Sequence, residues 1–259
     1  MTPAACLTAG LISYNHEEDT MKLTNFAGLA LACLLACNVA GLAAPAAAQA
    51  ADPVQAIQSA ADPARLQSLL AAWQASSDPD AAFYAGLILH NLAIQDAARW
   101  AESAVASLAA YRGGRYAALA LAYRGSAVTL LASVDNQRGN VVAASSRLNS
   151  GFALMDQAVL LDGQDLAIRF LRLENGLAIS ETTPFSRQPA ITADLQAIGL
   201  AEASLDPASR ALYYLACARL KLLQRQAAAA LACLYRAIDC APQSAAGRQA
   251  RQLLARLEE

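Results

Sequence analysis

Arg169 and Arg172 stand three residues apart, one helical turn, in a stretch that also holds Phe185 and Arg187. A guanidinium is a planar fork of donors, and two forks on one face suit a carboxylate. If both face a groove, they would grip an organic anion, with Phe185 and Arg187 as its lip. Asp165 lies four residues before Arg169, so the plainer expectation is an ion pair along the helix, worth a few tenths of a kcal/mol. The plainer expectation is preferred here. A second candidate is Tyr123 with Arg124, beside Gly125. Glycine inside a helix costs about 1 kcal/mol against alanine, so it is read first as room for a neighbouring helix.

Other chemistry is hard to build from these residues. The chain has two histidines, and His16 lies upstream of an export signal, which leaves His90 alone among apolar neighbours. One histidine cannot make a multi-histidine zinc site, and no cysteine or acid nearby has ligand spacing. There is no G-x-S-x-G elbow, no S-x-x-K, no G-x-x-x-x-G-K and no G-x-G-x-x-G. Asp78 and Asp80 sit where a helix begins, and capping explains them. No catalytic residue, metal or cofactor is therefore expected. Past residue 50 the cysteines are Cys217, Cys233 and Cys240. Cys233 and Cys240 are two turns apart on one helix, about 10 Å by helix rise, too far to bridge. Cys217, on the preceding antiparallel helix, is in a position to meet one of them, although free cysteines are more often small buried hydrophobes.

The elements that must position these residues are helices. Asp52-Pro53, Asp62-Pro63, Asp78-Pro79 and Asp206-Pro207 each put a capping carboxylate before a proline suited to the first helical position. Between them the apolar period is helical, which predicts helices near 64–76, 79–94, 96–111, 115–134, 141–162, 165–180, 190–204, 207–224, 226–240 and 244–257. Connections are short, so neighbours form antiparallel hairpins. Leu166, Phe170, Leu173 and Leu177 make one apolar stripe, and Ile168, Leu171 and Ile179 add others, so this helix is expected to be buried on several sides. Tyr214, Ala218, Ala230, Leu234, Ala237 and Pro242 follow tetratricopeptide spacing, small residues falling where two helices cross. Phe152, Met155 and Ala158 repeat part of it, and Ala97, Ala101 and Ala104 repeat less. The equivalent alanines 104, 158 and 237 are unequally spaced, so the repeats are degenerate.

Ala122-Tyr123-Arg124-Gly125-Ser126-Ala127, then Met155-Asp156-Gln157-Ala158-Val159, then Ile168-Arg169-Phe170-Leu171-Arg172 and the loop Pro184-Phe185 resemble, in that order, a set of uncharacterised bacterial tetratricopeptide-like proteins. The resemblance covers about residues 115–190. It implies an all-α fold, an α-α superhelix of antiparallel hairpins, and brings no activity with it.

Lys22, the uncharged run from Phe26 to Ala47 and Ala48-Gln49-Ala50 form the three regions of a secretory signal peptide. The acids Glu17, Glu18 and Asp19 fit poorly ahead of one, so translation is expected to start at Met21. The expected division is residues 1–20 as a non-native upstream segment, 21–50 as the signal and 51–259 as the helical domain. Two other readings stay open: Leu34-Leu35-Ala36-Cys37 resembles a lipobox, and the apolar run is long enough for an uncleaved anchor. Membrane attachment through lipid follows only if Cys37 is modified. Without Lys22 and those three acids, the 19 basic and 21 acidic residues of the chain become 18 of each. Neutrality gives no electrostatic reason to bind nucleic acid. The expectation is a periplasmic or secreted, non-enzymatic scaffold for a protein segment or peptide. The alternative is a small-molecule binding protein for an organic anion. The polar residues of 243–259 suit the capped end of a monomer.

Overall fold

Asp62 accepts hydrogen bonds from the backbone N–H groups of Ala64 and Arg65, and Asp206 from those of Ala208 and Ser209, with Pro63 and Pro207 opening the helices behind them. The computed structural model describes residues 53–58, 60 and 62–258. Among these, every regular element is a helix: α1 (Pro53–Gln58), α2 (Pro63–Gln74), α3 (Ala81–Gln95), α4 (Ala97–Ala110), α5 (Ala117–Gln137), α6 (Val141–Leu161), α7 (Leu166–Thr182), α8 (Gln188–Leu200), α9 (Pro207–Leu223), α10 (Ala227–Cys240) and α11 (Ala245–Glu258). Asp52, the upstream segment, the signal and Cys37 lie outside the described residues.

The ten expected helices are present within a few residues, and α1 is additional. The helix expected over 190–204 ends at Leu200 and is followed by a 3₁₀ turn, Glu202–Ser204. The cap expected at Asp78 is a correction. Its Oδ1 accepts the Asp80 N–H at 2.7 Å in a local turn, and the helix starts two residues late, at Ala81. Asp80 caps nothing either; its carboxylate takes the Tyr111 hydroxyl at 2.6 Å and Arg115 Nε at 3.0 Å. A tyrosine and a cation outcompete the free amides of the first turn. The turn 112–115 needs Gly113 and Gly114, whose φ of +95° and +83° few side chains tolerate.

From α2 onward each helix packs on the next, most extensively in the hairpins α3/α4, α5/α6 and α9/α10. Contacts that skip one helix join α1 to α3, α3 to α5, α5 to α7, α7 to α9 and α9 to α11. No comparable contact joins two even-numbered helices among the described residues. The odd helices thus form a continuous inner row, and the even helices lie on it separately. The small and apolar residues picked out by spacing lie buried at the hairpin crossings: Ala101 and Ala104, Met155 and Ala158, and Ala218, Ala230 and Ala237.

Helices α5 and α6 cross at close range. A Cβ placed on Gly125 would come within 2.5 Å of the Gly151 carbonyl oxygen, and one on Gly151 within 2.7 Å of the Gly125 carbonyl. Gly125 is therefore there for close packing, as its position inside a helix predicts. Helix α5 is long and apolar enough to cross a membrane, but 72% of its most apolar window is buried in the stack. Two large apolar clusters follow one another along the row. Ile168 and Leu171 of α7 belong to the first, Phe170, Leu173 and Leu177 to the second. Helix α7 is the shared wall, buried on several sides as its apolar faces predict.

Candidate functional site

A helix walled in on several sides must satisfy its polar residues inside the protein, and α7 does so on three faces. On the face toward α8, Arg169 and Arg172 converge on Asp194, whose side chain has no solvent exposure. Arg172 holds it bidentately, Nε to Oδ2 at 2.8 Å and Nη2 to Oδ1 at 2.7 Å. Arg169 Nη1 reaches Oδ1 at 3.1 Å, while its Nε donates to the Gly163 carbonyl at 2.5 Å. The two guanidiniums do grip a carboxylate from two sides, and it is one supplied by this chain. Arg172 Nη1 also donates to Asp156 of α6 at 2.9 Å, and Arg187 Nη2 closes the cluster on both oxygens of Asp156, at 2.6 and 2.9 Å.

The ion pair expected between Asp165 and Arg169 is not formed. Asp165 is the N-cap of α7 and accepts the Ala167 N–H at 2.8 Å. Burial pushes its carboxyl above the usual range, opposed by the backbone hydrogen bond from Ala167. Phe185 and Arg187 come together as the loop position predicts, over a residue that sequence reasoning did not assign to the site. The Arg187 guanidinium lies 4.7 Å from the Phe152 ring centroid, and the Phe185 ring stacks on the same Phe152 at 5.8 Å. Asp156 and Asp194 were also missed. The available signal was an acid among apolar residues in mid-helix, as with Asp194 between Ile191, Leu195 and Ile198.

Tyr123 and Arg124 sit apart from this cluster. The Tyr123 hydroxyl accepts from Gln58 Nε2 at 3.1 Å, and its ring meets His90 edge-on at 5.0 Å, in the first core. Arg124, the next residue round the helix, is half-buried.

On a second face of α7, Asn175 is bonded to α5, and through Ser126 the network reaches α3. Asn175 Oδ1 accepts from Thr129 Oγ1 at 2.8 Å, and its Nδ2 donates to Ser126 Oγ at 3.1 Å and to the Leu171 carbonyl at 2.8 Å. Ser126 Oγ lies 2.9 Å from His90 Nε2. Serine beside histidine is the geometry of an activated nucleophile, yet Ser126 is 0% and His90 1% exposed, leaving no path for a substrate. Burial lowers the His90 pKa to about 4, against the opposing hydrogen bond with Asn91, so the ring is neutral and a weak base.

On the third face, Arg219 of α9 forks onto Glu181 at 2.7 and 2.8 Å and reaches Glu174 at 2.6 Å. Burial pushes the Glu174 carboxyl up, against the pull of Arg219. No group of three or more histidine, cysteine or acidic residues suited to a metal occurs among the described residues.

An open depression lies elsewhere. Because α2 and α4 pack on α3 but not on each other, a furrow of about 450 Å³ remains between them. Its floor is Ala82 and Ala85, one wall carries Trp73, and the other Ser103, Ala106 and Ser107. Fold and sites together describe an all-helical protein of packed hairpins, tied across its central helix by buried polar contacts. Comparison with protein-family models, curated proteins and solved structures gave no match.

Proposed function

We propose that this chain is an exported, non-enzymatic scaffold of tetratricopeptide-like hairpins that holds an extended segment of a protein partner in the α2–α3–α4 furrow. The observation that supports this reading most is the lining of the furrow. An alanine floor lets a second backbone approach closely, and an aromatic wall offers a low-entropy apolar anchor. At the rim Ser103 offers a hydroxyl, while Ser107, which donates to the Ala82 carbonyl, can still accept. No charged side chain lines it, so the segment that suits it is neutral and carries an apolar side chain for Trp73. Separately spaced outer helices over a continuous inner row are also what a helical solenoid offers a ligand.

The test is a photo-crosslinking residue at the exposed Ala106, in the protein expressed in its native host. One discrete adduct, absent when the same residue replaces Gln252 on α11, is the expected outcome. A smear identical at both positions, or no adduct, overturns the proposal.

A second reading, a binding protein for a small organic anion, draws on one observation: three guanidiniums face two carboxylates in the Arg169/Arg172/Arg187 cluster. It predicts a rise in melting temperature with a carboxylate ligand, lost in Arg187→Ala. At a hundred times its dissociation constant a ligand adds about 2.7 kcal/mol. A flat carboxylate screen removes this reading.

A further inference from the structure

Cys217 and Cys233 face each other across the α9/α10 hairpin. The alanines 218, 230 and 237 bring these two helices close, and each thiol lies near enough to the other to alter its ionisation. Neither is sealed in the core: both are half-buried, at the edge of the second apolar cluster. The surroundings of the pair are unequal. Cys233 has the cations of Lys221 and Arg236 near it, whereas Cys217 is held between Cys233 and the Tyr213 hydroxyl.

We propose that Cys217 and Cys233 form a redox-active dithiol that closes to an intramolecular disulfide by exchange with a disulfide oxidant, Cys233 attacking and Cys217 resolving. The Cys233 thiolate attacks one sulfur of the oxidant, whose S–S bond breaks, and the first thiolate leaves with the electron pair. Cys217 then gives up its proton and attacks the Cys233 sulfur, expelling the second thiolate. Two cysteines are oxidised, the oxidant is reduced to two thiols, and the protons end on those thiols. The division of roles follows from the environments. A hydrogen bond from Cys217 and the two cations favour thiolate at Cys233, holding its pKa below the usual thiol value, while donating to that thiolate and burial push Cys217 up. Cys240, on the same helix as Cys233 and two turns beyond it, stays a thiol throughout.

The full-length protein is equilibrated in glutathione buffers of increasing oxidised fraction, alkylated, and digested with trypsin without reduction. Cleavage after Arg210, Arg219, Arg225, Arg236 and Arg248 puts Cys217, Cys233 and Cys240 into separate peptides, 211–219, 226–236 and 237–248. The expected product joins 211–219 to 226–236, with Cys240 alkylated. A linked product containing 237–248, or both 211–219 and 226–236 alkylated at the most oxidising ratio, overturns the proposal. Brief alkylation of the reduced protein at pH 7 assigns the roles. Cys233 is expected to react about tenfold or more faster than Cys217, and equal or reversed rates overturn the assignment. Cys217→Ser should leave Cys233 as a persistent glutathione adduct, and failure to trap one counts against a resolving role for Cys217. The two measurements on the unaltered protein stand if that variant does not fold.

Discussion

Asp194 and Asp156 look alike as neighbours of the same arginines, and burial separates them. The Asp194 side chain is wholly enclosed and answers both Arg169 and Arg172, while the Asp156 side chain is 39% exposed. Removing one partner of a buried pair strands the other charge, at a cost of about 3 kcal/mol or more, whereas a half-exposed pair is worth about 1 kcal/mol or less. Asp194→Ala should therefore shift the urea midpoint far more than Asp156→Ala; equal shifts would contradict the burial argument. His90 makes a pH prediction. Its folded pKa of about 4 lies below the ordinary value of 6.5, so the folded state binds fewer protons between those values. Stability from this group is complete above pH 6.5 and is lost as pH falls toward 4, by about 3 kcal/mol. Urea titrations at pH 7 and pH 4 should show this loss reduced in His90→Gln; an unchanged slope would assign it to other groups.

At the scale of the element, the α5/α6 hairpin depends on two glycines that face each other. The obstacle to a Cβ at either is a backbone carbonyl, 2.5 Å from Gly125 and 2.7 Å from Gly151, and backbone cannot swing aside as a side chain can. Helix propensity alone makes alanine better by about 1 kcal/mol. Overpacking opposes that gain with about 1–3 kcal/mol or more. Gly125→Ala and Gly151→Ala are each expected to lower the melting temperature by several degrees. A rise in either would mean that the helices are not in contact there. Gly86 differs, since its nearest obstacle is the side chain of Leu108, 2.6 Å away, so Gly86→Ala should be the mildest of the three.

For the molecule as a whole, the question is whether two apolar clusters in sequence unfold together. Helix α7 contributes to both, and its polar residues tie it to α5, α6, α8 and α9, including the buried Arg219–Glu174 pair at 2.6 Å. Breaking either cluster strands charges that belong to the other, so a single transition is expected. Both tryptophans, Trp73 and Trp100, pack against the first cluster, and the half-buried Cys217 packs against the second. Tryptophan fluorescence and thiol accessibility should report the same urea midpoint. Two separated midpoints would show that the hairpins unfold one after another, as in a solenoid with weak coupling.

The helices themselves were legible in the sequence because their signals are local. Aspartate before proline, a period near 3.6 and glycine in turns act within a few residues, and alanine at tetratricopeptide spacing marked the hairpin crossings. The burial of α7 was legible for the same reason, from apolar residues on more than one face. At Asp78 even the local rule failed, because the neighbouring Asp80 had Tyr111 and Arg115, more than thirty residues away, as better partners for its carboxylate. The arginine cluster shows where local reading stops. The spacing of Arg169 and Arg172 suggested a pair with Asp165 or a grip on a ligand carboxylate, whereas the carboxylate they hold is that of Asp194, 22 residues beyond Arg172 on another helix. The hydrogen bonding of His90 with Ser126, the approach of Cys217 to Cys233 and the furrow beside Trp73 are likewise properties of how helices lie against one another. Tertiary structure decided them because a side chain's partner is set by distance in space, and one sequence records only distance along the chain.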